Sequence, residues 1–188
     1  MGLDEAEQDE VFDKIISHLE TIKDDKLRSF VIGYYKEHAD EIKVSPAAKA
    51  MHHNYMGGLL VHTLECIELA ECVMDTVYQK INRDNAITAC ALHDIGKIFE
   101  YTIDTENGII DYNHDFQKEW LSHSQYAFSL CMTKGFKEVA KMIAAHHGRA
   151  DWGAIIDLDT KDLEPYVYFV HHIDDLSAKF GKISARLL

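Results

Sequence analysis

Cationic side chains are in short supply in this chain. Against 32 aspartates and glutamates it sets 19 lysines and arginines, a formal net charge of −13 with histidine neutral. A surface of that sign repels a long phosphate backbone, which excludes broad nucleic-acid binding through exposed lysine and arginine. A phosphate-bearing substrate would have to be held locally, by a bound cation or a small basic cluster. Proline is scarcer still, with two in 188 residues, and 47% of the residues are hydrophobic. With no internal repeat or low-complexity linker, this composition points to one ordered domain, residues 1–188, with a sizeable core. No stretch reaches the roughly 20 apolar residues of a membrane-spanning helix. The opening "MGLDEAEQDEVFDK" is acidic and is not expected to act as a secretory signal. Ala6 stands where a myristoylation signal calls for Ser or Thr. Cysteine pairs are lacking too: Cys66, Cys72, Cys90 and Cys131 form no Cys-x-x-Cys, and three of them fall in apolar helical runs, where a free thiol behaves as a small hydrophobe. A cytoplasmic protein is the expectation.

Helical periodicity is what the chain has in quantity. Val11, Ile15, Leu19 and Ile22 recur at helical spacing, as do Leu27, Phe30, Val31 and Tyr34. Ser45-Pro46 reads as an N-cap and first-turn proline opening a short helix through "AAKAMHH". A long apolar-periodic run extends from Leu59 to about Ile81 after Gly57-Gly58, and Asp84 is placed to cap the next helix, ending near Gly96. The segment "FEYTIDTENGIIDYN" breaks the pattern and suggests a β-hairpin turning at Asn107-Gly108. Helices resume with "FQKEWLSHSQYAFSLCM", "KEVAKMIAAHH" and "PYVYFVHHIDDLSAKF". The fold class is therefore all-α, a helical bundle with a small β-hairpin insertion. Residues 1–44 form an N-terminal helical extension whose two amphipathic helices pack on the core. A dimer face or partner dock is the lesser alternative for them, so a homo-oligomer is compatible with the sequence.

Histidine is the other excess, with 12 in the chain. His62 falls in the long helix, His93 and Asp94 close the next, and His123 follows the hairpin. His146 and His147 end a further helix, and Asp174 lies on the last. Each sits among apolar neighbours, where an unpartnered polar group is costly. Facing helices of a bundle build metal sites from such side chains. Imidazoles with carboxylates suit a divalent transition metal, manganese first, with iron, cobalt, nickel, zinc or magnesium as alternatives. Taken singly, each residue is as readily structural as ligating, and an isolated His18 or His38 is expected at the surface. The ordered series across several helices is what points to one or two ions.

The stretches "HHNYMGGLLVHTLECIELAE", "LHDIGKIFEY", "IAAHHGRADWG" and "HHIDDLSAKF" resemble the HD-domain metal-dependent phosphohydrolases, most of all the HD domain of YhaM-type 3′–5′ exoribonucleases. The resemblance spans residues 50–181 and implies an HD core over residues 45–181. It implies His62, His93, Asp94 and Asp174 as metal ligands, with Asp94 bridging where two ions bind, and His123 and His146 as holders of the second. Lys97 matches a lysine close to the substrate phosphate. The frame Asp-Asn-Leu-Asp-Ala-Lys usual in the family is "DDLSAK" here, so Asp175 and Ser177 depart from it. YhaM-type proteins carry a nucleic-acid-binding OB domain ahead of the HD core. An acidic helical segment stands there in this sequence, which argues against processive RNA binding.

Phosphoester hydrolysis needs an activated water, and metal coordination lowers the pKa of water from about 15.7 towards about 7. Asp94 is expected to hold that water and Lys97 to neutralise a phosphoryl oxygen. His147 is a candidate proton donor. His52, His53 and Tyr55 are candidates for the mouth of the site, facing a rim of Arg149 and Trp152. A guanidinium and an indole there would suit a phosphate and a base. The expected function is a 3′–5′ exonuclease or phosphodiesterase on single-stranded nucleic acid. The alternatives are a nucleotide phosphohydrolase acting on mononucleotides or a signalling nucleotide, and a non-catalytic ligand-sensing module.

Overall fold

The structure, a computed structural model, describes residues 2–76, 81–120 and 122–181. Its helices are α1 (Glu5–Glu20), α2 (Asp25–Glu37), α3 (Ala39–Val44), α4 (Gly58–Thr76), α5 (Arg83–Leu92) and the short α6 (Lys97–Glu100). A hairpin of β1 (Tyr101–Asp104) and β2 (Ile109–Tyr112) leads to α7 (His114–Trp120), α8 (His123–Thr133), α9 (Lys137–Ala144) and α10 (Phe169–Phe180). This is the all-α bundle with one hairpin that the periodicity indicates. No described helix is long and apolar enough to cross a membrane.

Helix α1 starts on a capping box, in which Asp4 accepts from the Glu7 amide and Glu7 reaches back to the Asp4 amide. Its apolar stripe of Val11, Phe12, Ile15 and Leu19 is buried, and the helix packs chiefly on α4, while α2 packs on α5. Burying an Ile or Leu side chain contributes about 1.5–3 kcal/mol, so this extension is built into the core. Helix α4 is buried on almost every side over its first seven residues, Gly58 to Leu64, and α5 is buried from Ala86 to Leu92. Such all-round apolarity marks central helices, and these two carry the first histidines of the series. Cys66, Cys90 and Cys131 are buried and Cys72 is exposed, all four as free thiols.

Several boundaries differ from the sequence expectation. Residues 45–57 form turns, with no helix after Ser45-Pro46. Ser45 ends α3, its amide donating to the Glu41 carbonyl. Long-range backbone bonds then staple the loop: the Ala47 amide donates to His53 O at 3.1 Å, and Leu59 to Ser45 O at 3.0 Å. Gly58 permits that closure, because a Cβ there would lie 2.0 Å from the His53 carbonyl oxygen. Asp84 does not cap α5. Asn82 does, accepting from Asn85 N, while the Asp84 carboxylate takes the Lys23 and Asp24 amides of the α1–α2 turn. Helix α4 runs to Thr76, Ile81 lies beyond it, and residues 77–80 of the expected run lie outside the described residues. The run after the hairpin is two helices, because Ser122 caps a new start at α8. The hairpin is as expected, antiparallel with Tyr101 opposite Tyr112 and Asp104 opposite Ile109. His18 and His38 are half-buried: His18 lies 3.0 Å from Glu71, and the His38 ring packs between Tyr34 and Phe99.

Candidate metal centre

The local structure aims the polar residues inward. His62 sits near the N-terminus of α4, His93 is the C-cap of α5 with Asp94 in the turn after it, and His123 opens α8. His146 lies in the turn after α9, and Asp174 is on α10. Gly96 allows the approach of α8, since a Cβ there would lie 2.7 Å from both Cα and O of His123. The Asp94 carboxylate stands between two groups of imidazoles. Its Oδ2 lies 3.5 Å from His62 Nε2 and 3.6 Å from His93 Nε2. Its Oδ1 lies 3.3 Å from His123 Nε2 and 3.7 Å from His146 Nε2. Asp174 joins the first group, with Oδ1 3.2 Å from His62 Nε2 and 3.9 Å from His93 Nε2. All six residues come together; Asp175 faces solvent.

The outer hydrogen bonds of the rings suit this set to a cation. Each ring's Nδ1 has an acceptor on its outer side: Cys90 O for His93 at 2.8 Å, Ile143 O for His146 at 2.7 Å, and Glu100 Oε2 for His123 at 2.7 Å. His62 Nδ1 meets Ser177 Oγ at 2.9 Å, and that hydroxyl gives its own proton to Glu65 Oε2 at 2.7 Å. With the ring proton on Nδ1, every Nε2 presents a lone pair towards Asp94. His62 Nε2 and His93 Nε2 stand only 3.2 Å apart, and His146 Nε2 is buried with no hydrogen-bond partner. Four lone pairs and two carboxylates facing one another need positive charge between them. The donor set therefore fits divalent metal, with outer partners that fix each ring's tautomer.

The electrostatics agree. Burial alone would raise the Asp94 carboxyl, but the Lys97 ammonium beside it is foremost among the neighbours that outweigh burial and hold it well below the usual range. Burial lowers His93 and, more strongly, His146, so both rings are held neutral. Lys97 is itself buried, its Nζ 2.5 Å from Asp94 Oδ2. Cys66 Sγ lies 3.8 Å from His62 Nε2, but burial pushes its thiol well up, which keeps it protonated.

The remaining expected residues fall in three places. His147 borders the second group, its Nε2 3.2 Å from His123 Nε2, and burial, then His123, pulls it down to about 4. Among the mouth residues, His53 and Tyr55 are buried and His52 is partly open. The His52 and His53 rings both lie against His62, at 4.9 and 5.4 Å between centroids. Arg149 and Trp152 are exposed, on the turn after His147, with the guanidinium 5.6 Å from the indole centroid. Arg149 is also bound to Asp151, Nε to Oδ1 at 2.9 Å. Residue types alone did not single out Glu100, Glu65 and Ser177 as partners of the ring nitrogens. Ser177 had a signal, its departure from the family frame; the two glutamates had none, being ordinary helix residues.

The family profile of the HD domain matches residues 59–179, nearly the whole span that carries these side chains. The chain belongs to the HD-domain family, a family of metal-dependent phosphohydrolases. A second profile, described as a putative helicase, matches residues 3–99 and overlaps the first half of that span. The chain is 30% identical over 190 residues to dihydroneopterin 2′,3′-cyclic phosphate phosphodiesterase of Methanocaldococcus jannaschii, covering 93% of this chain and 72% of the relative. It is 25% identical over 193 residues to the 3′–5′ exoribonuclease YhaM of Bacillus subtilis, covering 96% and 57%. To the YhaM of Listeria innocua it is 27% identical over 183 residues, covering 93% and 55%. The chain thus spans little more than half the length of these exoribonucleases. No solved structure matches it.

Proposed function

We propose that this chain is a divalent-metal-dependent phosphodiesterase acting on a substrate of nucleotide size. The ligands in this reading are His62, His93, Asp94 and Asp174 for one ion, with Asp94, His123 and His146 for a second, and manganese is the first choice of metal. When bound, such ions supply Lewis acidity to the phosphoryl oxygens and an acidified water. Asp94 would orient that water, Lys97 would neutralise a non-bridging oxygen, and His147, its Nε2 3.2 Å from His123 Nε2, is the candidate proton donor to the leaving group. Both kinds of relative act on phosphodiesters by their names. We read residues 1–188 as one domain, with residues 1–44 integral to the HD core at 45–181, and a cytoplasmic setting as suited to four free thiols.

The pairing of the cations carries the choice of a small substrate. Arg149 is bound to Asp151, and Lys49, on the loop that bears His52, to Asp111 at 2.6 Å. On a chain of net charge −13, that leaves the metal centre, with Lys97 beside it, as the phosphate anchor, enough for one phosphodiester and poor for a long strand. A 3′–5′ exonuclease acting on single-stranded nucleic acid is the second reading, favoured by exoribonuclease relatives that align over nearly all of this chain. The manganese-loaded protein should be given 2′,3′-cyclic mononucleotides and a 5′-labelled single-stranded RNA, with His93→Ala as control. Ring opening of the cyclic substrates without shortening of the RNA is the expected outcome. A ladder receding from the 3′ end would establish the exonuclease instead, and full activity in His93→Ala would sink both.

A further inference from the structure

Helices α4 and α10 are joined by a buried polar chain that the metal ligands alone do not require. His62 and Glu65 are three residues apart on α4, and Asp174 and Ser177 three apart on α10, so each pair shares a helix face. Ser177 Oγ lies between the two helices, 2.9 Å from His62 Nδ1 and 2.7 Å from Glu65 Oε2. Ser177 is buried, and the Glu65 side chain is 15% exposed. His53 Nε2 also lies 3.2 Å from Glu65 Oε2, so the loop before α4 approaches the same carboxylate.

We propose that Glu65 acts through Ser177 as a positioning residue that sets the tautomer of His62. This deepens the metal-centre reading above and rests on it. A hydroxyl both donates and accepts, so Ser177 alone would tolerate either tautomer of the ring. An ionised carboxylate only accepts. It takes the hydroxyl proton, leaves Ser177 Oγ as an acceptor, and thereby holds the imidazole proton on Nδ1. His62 Nε2 is then a lone pair aimed at Asp94 and Asp174. Were the chain reversed, Ser177 would donate to Nδ1, the ring proton would move to Nε2, and it would point into the space a cation needs. The polarity of two hydrogen bonds thus decides whether His62 can be a ligand.

Glu65→Gln is the decisive variant, because the amide keeps the shape and can donate to Ser177. Two readouts are taken: the ¹⁵N imidazole spectrum of metal-free protein above about pH 8, where the rings are neutral, and the Mn²⁺ dissociation constant by competition titration. In the parent protein His62 should show a protonated Nδ1 and a bare Nε2. Glu65→Gln should populate the Nε2-protonated form and weaken Mn²⁺ binding by about 10- to 100-fold. The double variant Glu65→Gln, Ser177→Asp places an acceptor directly on Nδ1 and should restore affinity to within about threefold. An unchanged tautomer in Glu65→Gln overturns the proposal, as does parental affinity. A parent protein that binds no Mn²⁺ would defeat the metal-centre reading, while the tautomer spectrum would still decide the relay.

Discussion

At the scale of the residue, Asp94 has the most to lose. Its two oxygens face different imidazole groups, so Asp94→Asn puts an amide where both groups need an anion and leaves the buried Lys97 without its partner. Metal content measured by mass spectrometry should fall below one ion per chain, and diesterase kcat/KM by about 10³-fold or more, a loss comparable to removing a key charge-stabilising group. The histidines also carry a pH dependence that metal-free protein would reveal. His147 has its pKa lowered from 6.5 to about 4, and burial lowers His93 and His146 in the same direction. The folded state then binds fewer protons than the unfolded one between those values, so stability rises with pH across that window. The stabilisation is full above about pH 6.5, and it is lost as pH falls towards about 4. Thermal melts with chelator present should show a flat Tm above neutrality and a fall below it. A Tm that climbed on acidification would contradict the buried neutral rings.

Elements place these residues, and glycine does part of that work. Gly96→Ala sets a methyl group 2.7 Å from the backbone of His123, rigid atoms that cannot turn aside, so α8 must retreat. Mn²⁺ affinity should drop at least about tenfold with the helical circular dichroism kept; an unaltered affinity would mean that the second imidazole group is dispensable. In α1, Ile15→Ala deletes a fully buried side chain and should cost about 2–5 kcal/mol in chemical denaturation. A loss under about 0.5 kcal/mol, the range of surface substitutions, would detach the N-terminal helices from the core. The elements were also what the sequence disclosed best. Apolar spacing located the central helices, and Asn107-Gly108 located the hairpin, because both signals are local. Caps were harder: Asp84 looks like one, yet its carboxylate is claimed by amides about 60 residues away. The loop at 45–57 was misjudged for the same reason, since backbone bonds from Leu59 and His53 outweigh the helical preference of Ser-Pro. In the metal centre the six inward residues were legible as types in order. Their outer partners Glu65 and Glu100 were not, because nothing in the sequence marks which glutamate of a helix faces a histidine.

Taken whole, the molecule is an anion whose substrate must also be an anion. Association with oligonucleotides should be weak, with log K nearly independent of log salt, because few counterions are released when the protein neutralises few phosphates. A filter-binding series from low to high salt measures the slope; a steep one would reveal a basic track that the paired Arg149, Lys97 and Lys49 do not provide. Asp151→Asn frees the Arg149 guanidinium and should strengthen binding at low salt without altering hydrolysis of a cyclic mononucleotide.

The turn that joins α5 to α6 also has a bearing on how such a chain can vary in length. His93, Asp94 and Lys97 are held within a single reversal, where the Lys97 amide donates to the Asp94 carbonyl at 3.0 Å. One residue added or removed between Asp94 and Lys97 would swing the following side chain by about 100° about the helix axis and separate the acid from its lysine. The exposed tip of the hairpin at 105–108 carries no such constraint. In a library of single-codon insertions and deletions selected for metal retention, survivors should crowd at that tip and be missing from the turn.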